Sequence, residues 1–507
     1  MKFNLERKQQ PVITNHEGAE AYAMTPAMEL YSTVVTASLS DQFYEGNAEK
    51  LNRIRLLMAK NDPAFIAKLA VYAREKMYLR SIPMVLAVEL ARQHTGDGLV
   101  GKMVSRVVQR ADEITELLAY YTLANKRQET KQLHKLSKQV QKGLSAAFNK
   151  FDEYQFAKYN RKAAITLRDA LFIVHPKAKD EAQQQLFNKI AKQELAVPFT
   201  WETQLSAAGQ YKYDSPAAKT MAFKTIWEQL IDSGQLGYMA LLRNLRNMLQ
   251  ADISAAHIQK VCDLLGDTQA VQRAKQLPFR FLAAYRELPA HGATAKLREA
   301  LEKAVQASVC NMKGFDGNTK IVIACDVSGS MQRPVSAKSK VLAYDIGLML
   351  GMLLQYKCDH VIAGMFGNYW KEVEMPGKNV LANVQEFYKR EGEVGYSTNG
   401  HDVLRSLIKR NYKADKVMFF SDLQMWNSNG NPHADSFRQA WADYKTRVAP
   451  AAKLYLFDLM GYGQAPLDIL ENDVYLIAGW SDKVFDVLEA LEKGQDALSK
   501  IEEVVLS

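Results

Sequence analysis

Cysteine is nearly missing: four residues in 507, Cys262, Cys310, Cys325 and Cys358. None forms a C-x-x-C pair or a zinc spacing. That excludes a disulfide framework and a zinc finger, and it leaves structural thiols in a reducing compartment. Histidine is scarce as well, nine residues with no H-E-x-x-H string, and no Ser/His/Asp arrangement stands out. Long apolar runs are missing: the stretch 341–356 is interrupted by Asp345 and is too short to span a bilayer. The opening MKFNLERKQQ carries charge without an apolar core, so it does not read as a secretory signal. A cytoplasmic monomer with no membrane partner is expected. A working phosphate loop is missing too. Gly96-Asp97-Gly98-Leu99-Val100-Gly101-Lys102 imitates one, but Met103 stands where a Mg²⁺-binding hydroxyl is needed, and a helical pattern precedes it.

What is present is ordinary globular composition, 48% hydrophobic and 24% charged. The 19 methionines lie mostly at apolar helical positions and read as core filler. The net charge of +9 is uneven. Residues 318–507 carry 21 Lys and Arg against 24 Asp and Glu, net −3, so the 44 basic and 32 acidic residues before them carry +12. A basic first part points to a polyanion partner; a solvated surface rich in lysine gives the same count without one.

The chain is organised around residues 319–331, TKIVIACDVSGSM. The β-branched run Ile321-Val322-Ile323-Ala324 predicts a buried strand, and Asp326-Val327-Ser328-Gly329-Ser330 a polar loop beyond its carboxyl end. Open parallel sheets place ligands there. Asp326, Ser328 and Ser330 offer one carboxylate and two hydroxyls, hard donors suited to Mg²⁺. Directly after a strand, D-x-S-x-S resembles the metal-ion-dependent adhesion site of von Willebrand factor A domains. That family adds a Thr from a second loop and an Asp ending a later strand. Thr398, in Gly395-Tyr396-Ser397-Thr398, and Asp422, after the strand pattern 416–420, match those positions. The resemblance implies that Asp422 acts through water.

Before this stretch the pattern is helical almost without pause. Residues 1–27 read as irregular. Helices are predicted over 51–59, 64–76, 83–92, 99–123, 132–148, 167–174, 217–231, 238–249, 254–265, 279–288 and 293–309. So many paired helices without a strand signal predict a stacked solenoid. Residues 313–318 read as a linker. Beyond it strands at 358–366, 370–374, 417–420, 453–459 and 474–478 alternate with helices at 339–355, 404–409, 435–444 and 484–491. That alternation predicts a doubly wound α/β sheet.

One basic cluster lies mid-chain: Lys158-Tyr159-Asn160-Arg161-Lys162, then Arg168, then His175-Pro176-Lys177. The cations can neutralise phosphates, and Tyr159 and His175 can stack on or bond unpaired bases. A solvated helix–loop–helix whose closing His is favoured by the helix dipole explains the same residues.

A basic helical part, a linker and an A-like domain, in this order, resemble the Ro (TROVE) ribonucleoproteins. Lys158-Tyr159 with His175-Pro176, Trp227-Glu228-Gln229-Leu230 and Ala240-Leu241-Leu242-Arg243-Asn244-Leu245 carry the likeness. It implies a ring of HEAT-like α-helical repeats over 1–312, closed by a doubly wound, Rossmann-like von Willebrand A domain over 313–507. It implies small noncoding Y-like RNAs on the outer basic surface and single-stranded ends of misfolded RNAs in the central hole. Lys158 and His175 keep the family spacing; Arg161, Lys162 and Arg168 lie beside them, and Arg243 is assigned to the interior. Ala163-Ala164-Ile165 departs from the family's more polar stretch. A 3′-to-5′ exoribonuclease is an implied partner. The expectation is a non-catalytic scaffold for RNA quality control with Mg²⁺ in the A domain. The alternatives are a metal-dependent protein-adhesion or assembly module, and an A-domain protein serving a separate ATPase.

Overall fold

The computed structural model describes the chain except residues 1–10, 16, 37–47, 127–135, 161–162, 275, 277, 289–293, 310–316, 335–340, 375–378, 429–435, 470–472, 480–496 and 507. Two compact units result, one from residues 39–226 with 498–507, the other from 1–38 with 227–497.

The first unit is helical. Several of its helices begin where an oxygen side chain satisfies the free backbone donors of the first turn. Asp62 caps Pro63–Glu75, Asp152 caps Glu153–Tyr159, Thr166 caps Leu167–Val174 and Asp180 caps Glu181–Lys192. Buried charges are paired. Arg74 meets Glu113 at 2.8 Å, and the Glu113 carboxylate also accepts the Gln109 and Arg110 amides. Glu89 holds Arg55 and Arg92, each at 2.7 Å, and accepts the Tyr120 hydroxyl. The GDGLVGK string has a packing explanation. Gly98 adopts a left-handed conformation before the Leu99–Val107 helix, and the Lys102 ammonium donates to the Leu506 carbonyl at 3.3 Å. That helix crosses Lys138–Phe148 with backbones in contact: a Cβ on Gly143 would lie 2.6 Å from the Gly101 carbonyl oxygen and from Val104 Cβ.

The second unit contains a six-stranded sheet. In chain order the strands are β1 (Val12–Thr14), β2 (Glu20–Ala23), β3 (Lys320–Asp326), β4 (His360–Phe366), β5 (Trp370–Glu372), β6 (Lys416–Ser421), β7 (Lys453–Asp458), β8 (Gln464–Ala465) and β9 (Val474–Ala478). The sheet order is β5-β4-β3-β6-β7-β9, parallel except for the edge strand β5. Side chains alternate between its faces. Ile323, Cys325 and Phe420 meet the Ala343–Lys357 helix. A Cβ on its Gly351 would fall 2.9 Å from Ile323 Cγ2, so only glycine lets this helix lie so close. Val322, Ala324, Val417 and Phe419 pack with Val403, Leu404, Leu407, Trp441 and Tyr444 from the helices His401–Lys409 and Phe437–Arg447.

The irregular N-terminus expected from the sequence is instead a hairpin: β1 pairs with β2, and β2 with β8, all antiparallel. Strands of three and four residues carry no periodic signal, and the partner that fixes them lies near the other end of the chain. The Asn15 side-chain amide donates to the Met425 carbonyl at 2.9 Å, and Ser32 Oγ donates to Asp458 Oδ2 at 2.6 Å. Helices from 238 to 309 belong to this unit as well. Glu302 of the Thr294–Val309 helix accepts the Val380, Leu381 and Ala382 amides, capping the Val380–Lys389 helix. The expected helix over 484–491, like most of the linker, lies outside the described residues.

Replacing Gly143 by Ala sets two effects against each other. Helix propensity favours Ala by about 1 kcal/mol, whereas overpacking costs about 1–3 kcal/mol. A backbone oxygen at 2.6 Å cannot swing aside, so Gly143→Ala is expected to lower the melting temperature measured by circular dichroism; an unchanged or raised value would refute the crossing.

Candidate metal centre and nucleic-acid interface

β3 is the strand at which the sheet's order reverses: the chain goes from β3 to β4 on one side, then returns to β6 on the other. The crevice beyond the carboxyl ends of β3 and β6 is therefore the topological switch point. Asp326 ends β3, Ser421 ends β6, and Asp422 follows it. Asp326 Oδ1 accepts the Ser328 amide at 2.8 Å, and its Oδ2 accepts the Ser421 hydroxyl at 2.5 Å. The Ser328 and Ser330 hydroxyl oxygens lie 3.0 Å apart. Asp422 Oδ1 accepts the Gln424 amide at 3.0 Å, and the Thr398 hydroxyl donates to the Gln424 carbonyl at 2.7 Å, so one backbone residue joins both predicted later positions. Asn399 fixes the Thr398 loop by donating to the Asn368 carbonyl and Ser428 Oγ while accepting the Ser428 amide.

The crevice collects acidic and hydroxyl side chains away from water. Asp326, Ser328, Thr398 and Asp422 are all buried. Burial first, and the charge of Asp422 second, push the Asp326 carboxyl well above the usual carboxylate range. Asp422 is raised by burial, against a hydrogen bond from Ser330. Asp422 Oδ2 is buried without a hydrogen-bond partner, an arrangement that costs free energy unless something meets it. The donors are all oxygen, and among the described residues no group of three or more His, Cys, Asp or Glu could hold a metal. The set therefore fits a hard divalent cation such as Mg²⁺ better than zinc or copper. Asp326, Ser328, Ser330 and Thr398 would hold the ion, with Asp422 beside them, and the ion would supply an open position for an anionic oxygen.

Sequence reading missed two neighbours. Ser421 orients Asp326. Asp458, ending β7, is a third buried carboxyl raised by its burial, and it accepts the Ser32 hydroxyl and the Gly461 amide. Its signal was available, since it is an acidic residue at the end of a third apolar strand pattern.

The basic cluster lies in the helical unit. Lys158, in the last turn of Glu153–Tyr159, sits 5.8 Å from the Tyr154 ring and 5.7 Å from the Tyr159 ring; Arg110 stacks on Tyr159 at 4.4 Å. Arg168 lies 5.6 Å from the Phe172 ring. Tyr154 and Phe172 are 51% and 52% exposed, so these rings are available to a ligand. Asp169, the nearest acid in sequence to Arg168, is taken up by the Thr166 cap. Among the described residues neither Lys158 nor Arg168 has a carboxylate within ion-pair distance. His175 ends its helix in a left-handed conformation, with an exposed side chain. Arg161 and Lys162 lie outside the described residues. Arg243 is exposed and belongs to the other compact unit, where the burial of Arg280 first, and the Arg243 charge second, lower the Arg280 guanidinium.

These features define a class: a helical protein with a cation-and-ring face, carrying a von Willebrand A-like domain whose switch-point crevice is lined by oxygen. The TROVE domain family model matches residues 24–200 and 192–314, more than half of the chain. The chain belongs to the TROVE domain family, that of the Ro ribonucleoproteins. It is similar to telomerase protein component 1 of Mus musculus, 24% identical over 336 residues, which covers 50% of this chain and 12% of that protein. The Rattus norvegicus counterpart is 25% identical over 309 residues, covering 46% and 11%. The chain thus matches only about an eighth of the length of these relatives. Its fold is that of the Deinococcus radiodurans RO (RSR) protein crystal structure, at a TM-score of 0.60 and 15% identity, covering 93% of this chain and 100% of that one.

Asp326→Ala is expected to abolish Mg²⁺ or Mn²⁺ binding in isothermal titration. In the parent protein, affinity should rise with pH through the acid side of neutrality, because a raised carboxyl must lose its proton to ligate. Unchanged affinity in the variant, or affinity independent of pH, would refute the metal assignment.

Proposed function

We propose that this protein is a non-catalytic scaffold that binds small structured noncoding RNAs, Y-like in character, and the single-stranded ends of misfolded RNAs, in RNA quality control. The observation that carries this reading is the state of Lys158 and Arg168. Cations at a protein surface usually lie among carboxylates, whereas these two rest on tyrosine and phenylalanine rings. Phosphate neutralisation and base stacking need that pairing. The +12 excess of residues 1–317 supports it over a longer range.

The A-like domain has a separate role in this proposal. A hard cation at Asp326 would present a coordination position to a carboxylate of a partner protein, a 3′-to-5′ exoribonuclease in the simplest case. The buried, unpartnered Asp422 Oδ2 supports such a metal-dependent adhesion role. The scaffold acts as a cytoplasmic monomer.

Filter binding at several salt concentrations tests the RNA assignment. Lys158→Ala with Arg168→Ala should weaken a structured small RNA, each lost phosphate contact lowering the salt-dependence slope by roughly 0.7–0.9. His175→Ala should reduce affinity while hardly altering that slope, since a ring that stacks on or hydrogen-bonds a base does so without a phosphate contact. If the double variant binds RNA as the parent does, at the same slope, this face is merely solvated.

A further inference from the structure

Residues 498–506 belong to the helical unit, although the chain up to residue 497 belongs to the unit of the sheet. They are held by the helices Pro63–Glu75 and Leu99–Val107, which pack against each other. The Lys68 ammonium donates to the Glu502 carbonyl at 2.8 Å and to the Glu502 carboxylate at 2.7 Å. Lys102 donates to the Leu506 carbonyl at 3.3 Å, and the Arg106 guanidinium donates to the Val505 carbonyl. Within the segment only Ile501 is buried, while Glu502, Glu503 and Val505 are exposed.

Lys102 and Arg106 stand four residues apart and share one face of their helix. Arg106 also makes a two-pronged pair with Glu75, at 2.9 and 2.6 Å, which orients its guanidinium independently of the segment. Of the four bonds from these cations to the segment, three end on backbone oxygens. The seat therefore holds a row of oxygens rather than particular side chains, and one apolar residue anchors what lies there. Carbonyl oxygens carry only partial charge. Phosphate oxygens in the same row would form charge-assisted bonds, the stronger kind.

The seat is continuous with the Lys158 face. Arg110, four residues beyond Arg106, stacks on Tyr159 at 4.4 Å. Lys150 joins the two regions: its ammonium donates to the Ser105 and Val108 carbonyls at the end of the Leu99–Val107 helix, and Asp152, two residues on, caps the helix that bears Lys158. We propose that residues 498–506 form a displaceable strap over a second phosphate-binding seat, Lys68 with Lys102 and Arg106, and that a single strand of nucleic acid running on from the Lys158 face takes the strap's place. The identity of the strand rests on the RNA-binding reading. An acidic peptide would also suit Lys68, but it would make no use of the continuity with the Tyr159 ring.

Fluorescence anisotropy of the full chain with a labelled polyuridylate strand, read beside hydrogen exchange of the 498–506 amides, tests this. Ile501→Asp, which sets a carboxylate where the anchor is buried, should release the strap. Its amides should exchange faster, and polyuridylate should bind about tenfold more tightly, the gain expected if the strap is closed about ten to one in the parent. In the parent, polyuridylate should itself speed exchange of the strap. Adding Lys68→Ala and Lys102→Ala to Ile501→Asp should remove the gain and lower the salt-dependence slope by about 1.4, roughly 0.7 for each lost phosphate contact. Should Ile501→Asp fail to fold by circular dichroism, Ile501→Ala takes its place with the same expected direction. The proposal is overturned if the released variant binds polyuridylate as the parent does, or if polyuridylate leaves exchange of the strap unchanged. It is overturned as well if polyglutamate competes as strongly as the strand, which would make the seat a peptide site. Failure of the RNA reading looks different: Lys158→Ala with Arg168→Ala then leaves structured-RNA binding unchanged, while the gain in Ile501→Asp still depends on Lys68 and Lys102.

Discussion

A charge removed from water has to meet a counter-charge, and most of this protein's interior obeys that constraint. Arg74 with Glu113, Arg55 with Glu89, and Arg286 with Asp345 are buried or half-buried pairs that join separate helices. Breaking one partner of such a pair costs about 3–5 kcal/mol, so these contacts fix which helices lie together. The exceptions are localised. Asp326 and Asp422 are buried carboxyls, each raised first by its burial, and the charge of Asp422 raises Asp326 further. Outside the interior, half-buried Lys158 and exposed Arg168 lie against aromatic rings. In the proposed reading a cation would answer the buried carboxyls and a polyanion the cation–ring face, and the two lie in different compact units. That separation is the physical basis for assigning metal-dependent adhesion and RNA binding to different parts of the chain.

The sheet and its crevice were largely legible in the sequence. β3, β6 and β7 are apolar runs buried on both faces, each ending in a polar residue. The spacing from Asp326 through Ser330, with Thr398 and Asp422 downstream, identified residues that fold to one edge. The helix starts after Asp62 and Thr166 were legible too, because those residues cap through local bonds, whereas the helices Glu153–Tyr159 and Glu181–Lys192 were not read from the sequence. The N-terminal hairpin was not legible, since β2 acquires its register from β8. Nor was the membership of helices 238–309 in the unit of the sheet: Arg286 with Asp345, and Glu302 with the Val380 amide, are contacts that no local pattern reports.

The cation–aromatic face shows the limit most clearly. Composition placed the basic excess before residue 318, and the Lys158 and His175 strings marked where to look. Whether a lysine faces a carboxylate or a ring is a tertiary fact. The Thr166 cap engages Asp169, which would otherwise be the obvious partner of Arg168. Arg243, grouped with the same residues on family grounds, stands in the other unit beside Arg280.

Ultraviolet crosslinking of the full chain to a small structured RNA, with the modified peptides identified by mass spectrometry in Mg²⁺ and in EDTA, tests the separation most directly. The account predicts adducts on Tyr154, Tyr159, Phe172 or His175 in both conditions. Adducts confined to the loops around Asp326, Thr398 and Asp422, or lost when the metal is chelated, would contradict it.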